Sequence, residues 1–254
     1  MARLFVALLL LVPRLALAGC APIAMQTPRV WLASASDPAL TIAFLGHASF
    51  LLETPAGIRA VTDYSGMFSP PEPPDLVTMN HAHGTHFTLH PDPRIRHVLH
   101  GWQEGPKPPA YETVVGDLRV TNLPTNLRAW GGGTEVNGNS IFVFESAGLC
   151  VAHLGHLHHL LEPADLAVLG RIDFAMIAVD GGYTLSQQDA LAVIGQINPR
   201  VVLPMHYFTY DRLLAFLALL RDTHDIQIRD NPAIVLSRAT LPERPTAIAL
   251  PGPH

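Results

Sequence analysis

Hydrophobic positions fall into short runs separated by turn residues, and the character of those runs changes midway along the chain. The first half carries strand-length runs. Leu40-Thr41-Ile42-Ala43-Phe44-Leu45, Ser49-Phe50-Leu51-Leu52-Glu53 and Gly57-Ile58-Arg59-Ala60-Val61-Thr62-Asp63 are β-like. Gly46-His47-Ala48 and the Thr54-Pro55-Ala56-Gly57 turn join them, which predicts an antiparallel meander. Strand-like segments recur at residues 76–79, 95–99, 111–115, 118–122, 141–145 and 148–153. Turns are expected at Gly131-Gly132-Gly133 and Asn137-Gly138-Asn139. After His159 helices enter. Residues 161–170, 186–197 (capped by Thr184 or Ser186) and 211–222 read as helices, alternating with buried strands at 173–179 and 201–205. Beta-rich segments followed by alternating helix and strand fit an α/β sandwich of two sheets with helices outside and ligands gathering at strand ends.

The ends of the chain read differently. Arg3 precedes an apolar stretch over residues 4–12 that is too short to anchor in a bilayer, and small residues follow, so residues 1–19 are expected to be an export signal. Leu17-Ala18-Gly19-Cys20 resembles the lipobox of bacterial lipoproteins, which implies a lipid on Cys20, attachment to the membrane and a place in the cell envelope or periplasm. Plain cleavage after Ala18 is the alternative. The only other cysteine is Cys150, which is a small buried residue if Cys20 is lipidated and its disulfide partner in an oxidising compartment if not. A linker over 20–38, one domain over 39–240 and an irregular tail over 241–254 complete the expected organisation.

Composition narrows the function classes. A chain of 254 residues accommodates one sizeable α/β domain. Net charge is −5 and no basic run appears, which argues against a nucleic-acid partner and for a small-molecule substrate. Histidine, at 14 residues, is the excess that carries chemistry.

Three separated strand ends each deliver histidine. His81-Ala82-His83-Gly84-Thr85-His86 follows the run at 76–79, His153-Leu154-Gly155-His156-Leu157-His158-His159 follows another, and His206 closes a third. Neutral imidazole suits Zn²⁺ and its first-row neighbours. The candidate metal ligands are therefore His81, His83, His86, His153, His156 and His206. His47 and Asp63 read more often as structural, a satisfied turn histidine and a carboxylate capping local backbone, and His158 as a supporting or exposed residue. His90, His97, His100, His224 and His254 carry no expected role.

As a set, Gly46-His47-Ala48-Ser49-Phe50, Asp63 at a strand end, the H-x-H-x-x-H turn, the His-Leu-Gly-x-Leu-x-His segment and Pro204-Met205-His206 resemble the metallo-β-lactamase superfamily, and within it a bacterial branch of metal-dependent hydrolases. The resemblance spans roughly residues 40 to 238. It implies an αββα sandwich with a metal site on the rim between two mixed sheets, and hydrolysis by a metal-bound hydroxide. The chain also departs from the family. Thr85 stands where relatives have an aspartate ligand, His156 where they have the aspartate that bridges two metals, and Asn126 near where they place a further histidine.

A neutral imidazole cannot replace a bridging carboxylate between two cations, so one metal, or two further apart, is the simplest expectation. With zinc bound, the implied reaction is hydrolysis of an ester, amide, lactone or phosphodiester. Proton handling would fall on Asp63, Asp180 or His159. The competing class is an envelope lipoprotein that keeps the fold, binds a metal or ligand and has lost turnover.

Overall fold

The computed structural model describes Cys20, residues 37–129 and residues 131–252. The expected signal segment and all but Cys20, Asp37 and Pro38 of the expected linker lie outside those residues. In chain order the elements are β1 (Ala39–Gly46), β2 (Ser49–Glu53), β3 (Arg59–Val61), β4 (Leu76–Met79), β5 (His97–His100) and β6 (Glu112–Val115). They continue with β7 (Leu118–Arg128), β8 (Thr134–Ser146), β9 (Leu149–His153), α1 (Pro163–Leu169), β10 (Phe174–Ala178) and α2 (Gln187–Ile197). The last are β11 (Val201–Met205), α3 (Tyr210–Leu220), β12 (Asp225–Ile228), β13 (Ala233–Ser237) and β14 (Thr246–Ala249).

Two mixed sheets form. One has the order β13-β1-β2-β3-β4-β5 and contains the antiparallel β1-β2-β3 meander. The other has the order β12-β14-β11-β10-β9-β8-β7-β6, parallel from β12 to β9 and antiparallel from there to β6. Alternation along β9 shows how the sequence divides its surface. Leu149 and Val151 enter the core between the sheets with Ile42, Phe50, Phe142 and Phe174, whereas Cys150 and Ala152 face outward under Val193, Leu213 and Phe216 of the helices. Each side of β9 is buried, which explains its continuous apolar run.

The helices do not divide evenly over the sandwich. Buried residues of α1, α2 and α3 all join the cluster on the outer face of the eight-stranded sheet. The outer face of the six-stranded sheet is covered instead by Tyr64, Ile95 and Trp102, which pack on Val61, Val77 and Met79. Ser186 caps α2 by accepting from the Asp189 backbone N–H, one of the two caps expected.

Two expectations need correction. The tail from Leu241 is not irregular throughout, because Thr246–Ala249 is a buried strand inserted between β12 and β11. Asn137-Gly138-Asn139 does not end a strand; β8 runs through it, with Asn137 at φ 53° and a register shift opposite, between Thr125 and Leu127. Of the two fates left open for Cys20, the structure carries the disulfide with Cys150, on the helix-covered face.

Candidate metal centre

The strand ends β1, β4 and β11 and the turn after β9 meet at one rim of the sandwich, and five histidine rings gather there. The ligand atoms of His47, His83, His86 and His206 all lie within 4.8 Å of one another. His156 closes the group, with its ring 5.0–5.1 Å from the rings of His83, His86 and His206. Nε2 of His47, of His86 and of His156 is buried without a hydrogen-bond partner among the described residues. Nε2 of His206 and Nε2 of His83 are 3.3 Å apart. Buried polar nitrogens left this way are costly unless a group binds them, and a tight set of imidazoles fits a first-row divalent cation.

What stands behind each ring sets its orientation. Nδ1 of His86 lies 2.5 Å from Oδ2 of Asp63, whose Oδ1 accepts from Nδ2 of Asn80 at 2.8 Å. Nδ1 of His206 lies 3.1 Å from Oδ2 of Asp180. Asp180 also accepts from Thr184 Oγ1 and from the backbone N–H groups of Gly182 and Tyr183. A carboxylate only accepts, so each ring carries its proton on Nδ1 and turns a bare Nε2 toward the centre, the arrangement of carboxylate-backed metal ligands. Thr85 Oγ1 lies 2.8 Å from Nδ1 of His83 and orients that ring, but a hydroxyl donates as well as accepts and does not set the tautomer.

The backbone is held in unusual conformations to achieve this. His47, Asp63 and His206 all have positive φ, at 54°, 42° and 56°. The loops carrying the first and last are tied together by the His206 N–H donating to the His47 carbonyl at 2.7 Å. Such conformations concentrate at functional sites, where surrounding structure holds them. Gly155, at φ +60°, makes the turn that aims His156 inward, and a Cβ there would overlap Asn139 and Asn80.

Burial drives these rings toward neutrality. Desolvation, reinforced by His206, His86 and His83, lowers the His47 pKa to about 3. Burial likewise lowers His83, and holds His86 and His156 well below the ordinary imidazole value. Burial raises Asp63 to about 6. Burial would raise Asp180 too, but hydrogen bonds from His206, Thr184 and Gly182 outweigh it and hold that carboxyl below its usual range. Neutral imidazole is the form that offers a lone pair to a metal.

Three expected site residues stand elsewhere. His81 turns outward, is exposed, and pairs through Nδ1 with Glu135 Oε1 at 2.7 Å. His153 is the last residue of β9 and faces the opposite sheet. Its Nε2–H donates to the Ala48 carbonyl at 2.8 Å while Nδ1 accepts from the Gly155 N–H at 3.2 Å, so neither nitrogen is available. His159 donates through Nδ1 to the Leu160 carbonyl and accepts from the Asn126 N–H at Nε2. Asp63 and Asp180 stand behind rings rather than facing the centre. Conversely, His47 belongs to the cluster, and Asn80 and His158 support it. His47 sits in a short turn that gives no periodic signal, and only its place after a glycine at a strand end could have marked it.

Cavities open on both sides of the cluster. One of about 640 Å³ is lined by Phe44, His47, Phe68, Tyr207, Phe208 and Tyr210, among others. A smaller one of about 260 Å³ includes His81, Arg128, Glu135, His156, His158 and Tyr183. A substrate spanning the histidines would meet Phe68, Tyr207 and Phe208 on one side and Arg128, Glu135 and Tyr183 on the other.

A two-sheet sandwich with histidines on loops at one rim defines the class of metallo-β-lactamase folds. The chain belongs to that superfamily: its β-lactamase superfamily domain profile matches residues 41–206. A UPF0173 metal-dependent hydrolase of Herpetosiphon aurantiacus is 26% identical over 207 residues, covering 68% of this chain and 85% of the relative. One from Methanoculleus marisnigri is 26% identical over 187 residues, covering 67% and 82%. Among solved structures, a protein assigned as a Zn-dependent hydrolase of the metallo-β-lactamase superfamily from Thermotoga maritima matches with a TM-score of 0.59 and 28% identity. That match covers 84% of this chain and all of the other. Igni18, a metallo hydrolase from Ignicoccus hospitalis, shares the fold with a TM-score of 0.58 at 17% identity, covering 78% and 99%.

Proposed function

We propose that this chain is a hydrolase that works with one bound divalent cation, zinc first among the first-row metals, held by His83, His86, His206 and His47. The observation that carries this reading is the convergence of buried, unpartnered imidazole nitrogens in front of two carboxylate-backed rings. A cation bound there supplies Lewis acidity, making water nucleophilic near neutral pH and polarising a carbonyl or phosphoryl oxygen.

The protein's own groups do the rest. Asp63 and Asp180 fix the tautomer and aim of His86 and His206, and their oxygens are already engaged, so they position ligands instead of exchanging protons with substrate. The cavity beside His47 offers an aromatic wall, with Phe44, Phe68, Tyr207 and Phe208, against which an apolar substituent can pack. Arg229 and Asp230 also line that cavity and Arg128 lines the smaller one, so the substrate class stays an ester, amide, lactone or phosphodiester. The Cys20–Cys150 disulfide supports export to an oxidising compartment such as the periplasm, with plain cleavage in place of a lipid anchor.

Elemental analysis of the purified protein, followed by an ester, lactone, amide and phosphodiester screen with and without chelator, tests the proposal. Chelator-sensitive turnover of at least one of these substrates is expected. Stoichiometric metal with no chelator-sensitive turnover would replace the hydrolase by a metal- or ligand-binding protein of the same fold.

A further inference from the structure

His156 occupies the centre of the cluster, yet the groups behind it are unlike those behind His86 and His206. Its Nδ1 lies 2.8 Å from Nε2 of His158, and Nδ1 of His158 accepts from the backbone N–H of Arg128 at 2.6 Å. The amide is the fixed point of this string, because a backbone N–H can only donate. His158 therefore accepts at Nδ1 and, being neutral, carries its proton on Nε2. The Tyr183 carbonyl is a second acceptor for that proton, but two hydrogens cannot share the 2.8 Å contact between the rings, so Nδ1 of His156 is bare. The single proton of His156 is thus on Nε2, the nitrogen aimed at His83, His86 and His206.

A protonated ring nitrogen has no lone pair for a metal. The site then contains two kinds of imidazole, distinguished by what stands behind them. Rings backed by carboxylates present a bare nitrogen. The ring backed, through His158, by an amide presents an N–H. His156 is 5% exposed, and its Nε2 has no partner among the described residues, so this donor awaits an acceptor that the fold does not supply. Asn139 Oδ1 accepts from the His156 backbone N–H at 2.9 Å and fixes the ring's base, while the 260 Å³ cavity reaches the ring from outside.

We propose that His156 is not a metal ligand but a hydrogen-bond donor, whose Nε2–H is aimed at the substrate oxygen on which negative charge develops during hydrolysis. Where relatives resemble one another in placing an anionic bridging group, this chain places a donor for an anion. The catalytic half of this statement rests on the hydrolase reading. The tautomer and the absence of ligation do not.

Nitrogen-15 NMR of histidine-labelled full-length protein tests the structural half directly. In the metal-free protein His156 is expected to show a protonated Nε2 and an unprotonated Nδ1, and to keep that proton when zinc is added, while Nε2 of His86 and of His206 shifts on ligation. Loss of the His156 Nε2 proton on zinc addition would overturn the proposal. Metal content gives an independent reading: His156→Ala should retain the ion that His206→Ala loses, and equal loss in both folded variants would count against it. For the catalytic half, His156→Ala should lower kcat by about 10²–10³-fold with metal retained, as removal of an oxyanion donor does elsewhere. Unchanged kcat with wild-type metal content would overturn that half. If the wild type hydrolyses none of the substrates screened, the hydrolase reading fails while the NMR and metal results still decide the role of His156 at the metal.

Discussion

The carboxylate of Asp63 and the ring of His86 are joined at 2.5 Å inside the sandwich, with neither side chain reaching solvent. The contact is possible because Asp63 takes a left-handed conformation at the end of β3, φ 42°, which turns its side chain toward the histidine turn after β4. Asn80 then locks the second oxygen.

Asp63→Asn separates charge from shape at this contact. Asparagine tolerates the left-handed conformation and fills the same space, but its amide can present a donor to Nδ1 of His86. The ring then takes its proton on Nε2, where the metal should bind. Zinc affinity, measured by competition with a chromophoric chelator, is expected to fall about 10–100-fold with little change in circular dichroism. Undiminished affinity would show that Asp63 does not set the tautomer.

Gly155→Ala tests the turn that delivers His156. The residue has φ +60°, and an added Cβ would overlap the buried side chains of Asn139 and Asn80. Those same amides hold His156 and Asp63 through hydrogen bonds. A loss of about 2–4 kcal/mol in urea denaturation is expected from combined strain and displacement. Gly84, beside which a Cβ meets nothing within 4 Å, should accept alanine with little effect.

Acid should destabilise the metal-free protein. His47, His83, His86, His156 and His158 all bind protons less tightly in the fold than their ordinary value of 6.5. Their neutrality therefore favours the fold fully above pH 6.5, and this contribution is lost as pH falls toward about 4 for His158 and about 3 for His47. Asp63 works in the opposite sense, being raised from 3.8 to about 6, so its contribution is present below 3.8 and lost as pH rises through 6. Burial raises Asp173 as well, but Asp180, held low, and His224 act in the same sense as the five histidines, and together these groups outnumber the two raised carboxyls. Melting temperature should drop between pH 6.5 and 4, and a flat profile across that range would contradict the buried neutral cluster.

The sequence makes His83, His86 and His206 legible because each stands directly after an apolar run, where a strand must end at the sheet's rim. It fails for His81 and His153, since membership of a cluster depends on which way a turn sends a ring. His81 goes to Glu135 on β8, and His153, still within β9, keeps the strand's inward alternation and meets Ala48. His47 is hidden for the same reason in reverse. The fold class follows from strand-then-helix order, but β12, β13 and β14 are short and flanked by polar residues and prolines, and pairing with distant strands defines them more than local pattern does. β14 lies between two strands that come earlier in the chain, a crossover that no local signal announces.

Reduction should expose how much the fold leans on Cys20. The Cys20–Cys150 bond closes a separation of 130 residues and ties Cys20, which precedes the domain, to β9. Constraining so long a segment of the unfolded chain stabilises by about 2–5 kcal/mol. Cys20→Ser, or the wild type in reductant, should unfold at correspondingly lower denaturant concentration. Identical midpoints with and without reductant would show that the bond contributes nothing.

Metal number is the most direct check on the charge balance of the site. The gathered ligands are neutral imidazoles, and the nearest negative charges are the carboxyl groups of Asp63 and Asp180 behind them, which together match one divalent cation. A second such ion about 4 Å away would add roughly 15 kcal/mol of repulsion at an effective dielectric near 20, with no bridging carboxylate to offset it. Elemental analysis after exhaustive dialysis should therefore give one ion per chain, lost in His206→Ala and His86→Ala. Two tightly held ions would mean that another residue, Glu135 beside His81 being the nearest acidic candidate on that side, enters the coordination shell and that the single-ion balance is wrong.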